Sequence, residues 1–129
     1  MSATYFFDNN ISFRYANMLR AIRQDVHHIA KTRGFHRDDP DVVWMPKTAA
    51  NGWIAVTLDE SIRRIAVEEM VRAKAGLRVI FLAAGFRDHP FFAQAQFLIN
   101  AWPEIVKQTA RSKAGQCFRV TAQRKVTLL

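Results

Sequence analysis

The sequence has one cysteine, Cys117, among its 129 residues. A lone cysteine excludes an intramolecular disulfide and any zinc cluster built on cysteine, so a reduced, cytoplasmic protein is the simplest expectation. Long hydrophobic runs are missing as well. No stretch approaches about 18 uninterrupted apolar residues, and no membrane span is expected. The opening residues, MSATYFFDNN, lack a basic start ahead of an apolar run and do not read as a secretory signal. GxSxG, P-loop and GxGxxG signatures are all absent, which removes the commonest sequence marks of serine hydrolases, P-loop enzymes and dinucleotide binders. Acids are scarce: 11 against 19 Lys and Arg, for a net charge of +8.

That shortage is local. Residues 1–60 carry seven acids and seven bases, whereas residues 61–129 carry four acids and twelve bases, with no acid after Glu104. A basic half-chain suits a polyanion, because phosphates neutralised by Lys and Arg release their counterions. It equally suits a soluble surface or an acidic protein partner. Half of the residues are hydrophobic and 23% are charged, so a folded chain is expected. The length fits one domain over 1–129, ending in a basic strand or tail over 111–129.

The pattern alternates strands and helices. Tyr5–Phe7 reads as a buried strand that stops at Asp8. Ser12 caps a helix that runs to Arg23, and Asp25–Ala30 reads as a second strand. A polar loop follows over Lys31–Pro40. Pro46 cannot sit deep inside a helix, so a turn is expected over Asp41–Met45, then a short helix opened by Pro46 and closed by Asn51-Gly52. Trp53–Thr57 is the clearest buried strand. Ser61–Ala75 reads as one helix with Ile62, Ile65, Ala66 and Met70 on its apolar face. Val79–Ala83 is a strand, Ala93–Ala110 a long helix with a break expected near Pro103, and Phe118–Ala122 a last strand before a basic tail. The result is an α/β chain with a mostly parallel, about five-stranded sheet.

In such sheets sites form beyond the carboxyl ends of the strands. Asp8 follows the first strand and Asp59 the third, and Asp41 stands just ahead of the segment leading into the third. Brought together, three carboxylates would repel one another, and a hard cation such as Mg²⁺ or Mn²⁺ would relieve that. Beside a half-chain suited to phosphates, this suggests a metal-dependent nuclease. Around these acids, Asn10 reads as a neutral ligand or as a turn residue and cap. Asp39, before Pro40, reads as a turn or cap aspartate, and Asp38 as a solvated loop charge. Glu60 adjoins Asp59 and could join its cluster. Thr57 could orient the Asp59 carboxylate or simply serve as a strand former. His27 and His28 point to opposite faces of a strand and cannot jointly grip a metal. Cys117 reads as a small apolar residue. Phe6, Phe7, Trp44, Trp53, Phe81, Phe97 and Trp102 read as core.

These segments have a familiar order. Phe6-Phe7-Asp8-Asn9-Asn10-Ile11-Ser12 resembles the first strand and turn of PIN-like domains. Asp41-Val42-Val43-Trp44-Met45-Pro46, followed by Gly52 to Asp59 with its Thr-x-Asp ending, resembles the later part of the same pattern. Arg63-Arg64 and Trp102-Pro103-Glu104-Ile105 resemble the compact branch of VapC-type toxins, and the resemblance spans most of residues 4–106. It implies a three-layer α/β/α sandwich and a Mg²⁺- or Mn²⁺-dependent ribonuclease, the toxin half of a toxin–antitoxin pair. It also implies an RNA substrate, a cognate antitoxin, a homodimer and no membrane. Asp8, Asp41 and Asp59 match the family's metal-binding acids, and Arg63 or Arg64 would anchor the phosphate. The chain departs from the pattern twice. Residues 12–23 hold no acid, and Ser61 stands where many members have a second acid after Thr-x-Asp. Glu60 and Glu68 are substitutes outside the motif. Two rivals stand beside this reading. A receiver-like signalling domain would need an acidic pair where this chain has Asp8-Asn9, and a lysine near Leu82–Gly85 that it lacks. The other is a PIN-like module that binds RNA or protein without catalysis.

Overall fold

In the computed structural model, which describes residues 3–129, six strands form one sheet in the order β2-β1-β3-β4-β5-β6. The strands are β1 (Tyr5–Phe7), β2 (Val26–His28), β3 (Ile54–Thr57), β4 (Val79–Leu82), β5 (Cys117–Val120) and β6 (Val126–Leu128). The first five are parallel, and β6 returns antiparallel to β5. The helices are α1 (Phe13–Ala21), α2 (Asp41–Ala50), α3 (Ser61–Arg64), α4 (Ala66–Ala75) and α5 (Phe91–Thr109).

Strand side chains alternate between two apolar layers, as a pleated strand requires. Tyr5, Phe7, Ile54, Val56, Ile80 and Leu82 pack with Tyr15 and Leu19 of α1 and with Leu98, Trp102 and Ile105 of α5. Phe6, Ala55, Val79 and Phe81 pack on the other face with Trp44 and Met45 of α2, Ile62 of α3 and Val71 of α4. Helices on both faces explain why β1, β3 and β4 read as unbroken apolar runs: every strand residue is buried. The chain leaves β1 for β2 on one side and crosses back to β3 on the other, so the strand order reverses between β1 and β3. Ligand crevices of open α/β sheets form at that reversal. No helix among the described residues is long and apolar enough to cross a membrane.

Several expected boundaries move. The second strand ends at His28, and Ile29–Lys31 is a 3₁₀ turn. Asp41–Met45 is not a turn but the first half of α2, with Pro46 inside the helix. Proline there removes its own N–H and crowds the carbonyl four residues back. The first turn is held by the Pro40 carbonyl, which accepts from Val43 N at 2.8 Å and Trp44 N at 3.1 Å. Burial of Trp44, Met45 and Thr48 outweighs the missing bond. The helix expected over Ser61–Ala75 breaks at Ile65, whose ψ of 117° is extended. Of its expected apolar face only Ile62 reaches the core; Ile65 is 44% and Met70 66% exposed. Pro103 does not interrupt α5, which begins at Phe91. The basic tail folds back as β6, giving six strands rather than five.

Candidate active site

Asp8 lies one residue past β1, and its amide donates to Val56 O of β3 at 3.1 Å. Its carboxylate is buried but well hydrogen-bonded. Oδ1 accepts from Asn9 N at 2.7 Å, while Oδ2 accepts from Thr57 Oγ1 at 2.9 Å and Asn10 Nδ2 at 3.4 Å. Burial pushes its pKa above the ordinary carboxylate value; the Asn9 and Thr57 hydrogen bonds oppose this, and the Asp41 and Asp59 charges add to it. Asn10 joins the two strand ends: its Nδ2 donates to Thr57 Oγ1 at 3.2 Å and its Oδ1 accepts from Leu58 N at 3.2 Å. Thr57 is fully buried and its hydroxyl is aimed at Asp8. The expectation that it orients the Asp59 carboxylate is therefore corrected: it meets Asp59 only by accepting from the backbone N–H at 3.1 Å.

Asp59 is held by its successors. Oδ1 accepts from Ser61 N at 3.0 Å and from the Ser61 hydroxyl, closing the first turn of α3. Ser61, at the position where an acid was missing, thus supplies a donor to Asp59. Asp41 opens α2, where the helix dipole favours a negative charge, and it accepts from Trp44 Nε1 at 2.8 Å.

A fourth acid completes the neighbourhood. Glu68 of α4 comes within hydrogen-bonding reach of the Asp41 carboxyl and feels the charges of both Asp41 and Asp59. Desolvation is the largest influence raising its pKa, followed by those two charges. Its Oε2 is buried with no hydrogen-bond partner. The break at Ile65 explains its aim. After the break, Glu68, Val71, Arg72 and Ala75 share the inward face at i, i+3, i+4 and i+7, while Val67 and Met70 point outward. Glu68 stood in the sequence only as a substitute for a missing acid, because it does not match the family's motif. Its i, i+4 spacing from Arg72 was no guide, because Arg72 pairs with Glu69 instead. That arginine is 6% exposed and donates to Glu69, Leu77 O and Gly115 O.

The remaining candidates lie apart from this cluster. Asp39 folds back on its own loop, accepting from His36 N at 3.0 Å. Glu60 is ion-paired with Arg119 of β5 and is thereby neutralised. Arg63 and Arg64 are exposed in the last turn of α3, just beyond Asp59. His28 is buried, accepting from Ala30 N at 3.0 Å and meeting Ile11 O at 2.6 Å, while His27 stacks on Trp53. Cys117 is buried at the start of β5.

Asp8 and Glu68 each feel the charges of Asp41 and Asp59, and none of the four is in an ion pair among the described residues. Among the described residues, no three His, Cys, Asp or Glu side chains stand close enough to hold one ion directly. Uncompensated carboxylates, an orphaned buried Oε2 and hard oxygen donors fit a hydrated cation such as Mg²⁺, which is usually held by one or two carboxylates and keeps its waters. They do not fit a tightly caged metal.

Among known proteins, a family described as "PIN like domain" matches residues 3–84. The matched segment runs from β1 through β4 and contains all four acids; Trp102–Ile105 lie outside it. No curated protein and no solved structure matches the chain.

Proposed function

This chain belongs to the PIN-like domain family, whose members are commonly nucleases, and from that premise we propose that it is a Mg²⁺- or Mn²⁺-dependent ribonuclease. The observation that carries the reading is the cluster of Asp8, Asp41, Asp59 and Glu68 at the β1–β3 reversal, none of which is in an ion pair among the described residues. A bound divalent cation would offset charge on the phosphoryl group and lower the pKa of an attacking water. The protein's own part is to hold and aim. Thr57 and Asn10 fix the Asp8 carboxylate, Ser61 fixes Asp59, and Trp44 fixes Asp41. One or two of Asp8, Asp41 and Glu68 would hold the cation directly, and the remaining acids, with Asp59, would hold its water shell. Arg63 or Arg64 would meet the phosphate at the rim. The finer reading is a VapC-like toxin with a cognate antitoxin, working as a homodimer in the cytoplasm. It rests on the Arg63-Arg64 and Trp102–Ile105 resemblances. A non-catalytic RNA- or protein-binding module is the alternative, favoured by the lack of three acids at direct ligand distance among the described residues.

The test is cleavage of single-stranded RNA with Mn²⁺ or with EDTA. Wild type should cleave only with the metal, and Asp8→Asn should lose at least about 100-fold in rate. Equal cleavage by both proteins would remove the assignment, and tight RNA binding with no cleavage by either would favour the binding module.

A further inference from the structure

A cavity of about 250 Å³ opens beside the acid cluster, between the loop after β1 and the turn after β2. Asn9, Ser12, Phe13, Lys31 and Arg37 line it, and no acid does. It shares a wall with the cluster, because the Asn9 amide that donates to Asp8 Oδ1 belongs to a residue lining the cavity. Among the described residues, neither Lys31 nor Arg37 has a carboxylate within ion-pair distance. Asp38 and Asp39 follow Arg37 in the chain; Asp38 is exposed and not in an ion pair among the described residues, and Asp39 is turned back onto His36 N. Lys31 Nζ is instead seated over the Phe13 ring, 4.8 Å from its centre. His28 walls the cavity with both ring nitrogens already engaged, by Ala30 N and Ile11 O, so it contributes shape rather than charge. The first turn of α1, which faces the same space, carries no acid.

A concave, acid-free surface with a point cation and a forked cation is built for an oxyanion. Its position matters as much as its chemistry. Four carboxylates at the reversal repel any phosphate chain, and compensation must come from cations placed close by. Resting on the nuclease reading above, we propose that this cavity is a second anion subsite, taking a backbone phosphate that neighbours the one at the acid cluster. The strand would then lie along the carboxyl edge of the sheet from β3 across β1 to β2. Lys31 and Arg37 set its register, and Phe13 offers an aromatic edge beside the ribose or base.

The test uses the full chain carrying Asp8→Asn, so that RNA stays intact. Binding of a labelled single-stranded RNA is measured against salt for that protein, for Lys31→Ala/Arg37→Ala added to it, and for Lys107→Ala/Arg111→Ala added to it. The last pair removes equal charge from the opposite edge, near Thr109, whose hydroxyl meets Tyr5 at the start of β1. The cavity pair should weaken binding roughly tenfold and flatten the log–log salt slope by about 0.7 for each phosphate no longer neutralised, with the control pair changing neither. Equal effects from both pairs, or none from the cavity pair, overturn the proposal. Inorganic phosphate is the second arm. Competition with RNA that vanishes in the cavity pair, while RNA binding itself is unchanged, would assign the cavity to a free anion and overturn the backbone assignment. Cleavage by wild type is scored separately. A flattened slope without any cleavage would leave the subsite standing and sink the nuclease reading; cleavage with an unchanged slope would do the reverse.

Discussion

The side chains of the site are under opposed demands of stability and charge. Asp8 and Glu68 have folded-state pKa values raised chiefly by desolvation and further by neighbouring carboxylates. A raised carboxyl contributes stability that is fully present below its unfolded pKa and is lost as pH rises through its folded pKa. At neutral pH both groups therefore weaken the fold in the absence of a cation. Glu68→Gln should raise unfolding free energy at pH 7 by about 0.5–1 kcal/mol and lose that advantage at pH 4, as thermal or urea unfolding at the two pH values would reveal. The same substitution should lower metal-dependent cleavage. Mg²⁺ itself should raise the melting temperature of wild type at pH 7 and do so less as the pH is lowered, because protons compete for carboxylate ligands; a shift independent of pH would speak against carboxylate ligation.

At the scale of elements, the break between α3 and α4 decides which face of α4 is buried. An unbroken helix from Ser61 would have carried Ile65 toward the core along with Ile62, which is buried in either case. The extended Ile65 instead turns Arg72 inward, where it bonds Glu69 and spans to Leu77 O and Gly115 O. Gly76, at φ 72°, then reverses the chain into β4. Arg72 thus ties α4 to the loop before β5 and, through α4, keeps Glu68 beside Asp41. Arg72→Ala should cost about 3 kcal/mol in denaturant unfolding, because it strands Glu69 and two carbonyls. Arg72→Lys should recover only part of that, since an ammonium cannot reproduce the fork. A loss below about 0.5 kcal/mol for Arg72→Ala would show that α4 is held by its other neighbours.

For the molecule as a whole, charge is sorted by position. Four of the 11 acids gather at one end of the sheet, while the net +8 comes from the second half of the chain. On the proposed reading, a polyanion would be drawn to such a body by its overall field and admitted to the acidic crevice only where cations flank it. Association of RNA with Asp8→Asn should accordingly fall steeply between about 50 and 200 mM salt. Binding that is flat over that range would argue for an apolar or protein partner.

Much of this was legible in the chain. Buried strands show themselves as apolar runs wherever both faces of a sheet are covered, and Asp8 and Asp59 could be placed because each ends such a run. The Ser12 cap was readable because a side-chain oxygen bonding Arg14 N is a local event. Local chemistry, by contrast, misled at Pro46, where burial of Trp44 and Met45 overrode proline's preference, and at Ile65, where apolar residues ended up in solvent. Thr57 and Glu68 show the same division. Which carboxylate a hydroxyl serves, and which face of a helix a glutamate occupies, depend on partners 49 residues away in one case and on a neighbouring helix in the other. The strands, the acids that end them and the imbalance of charge are written in the chain, because they follow from nearest neighbours and composition. Which acids meet is not written there, since convergence is a property of packed elements and not of any segment alone.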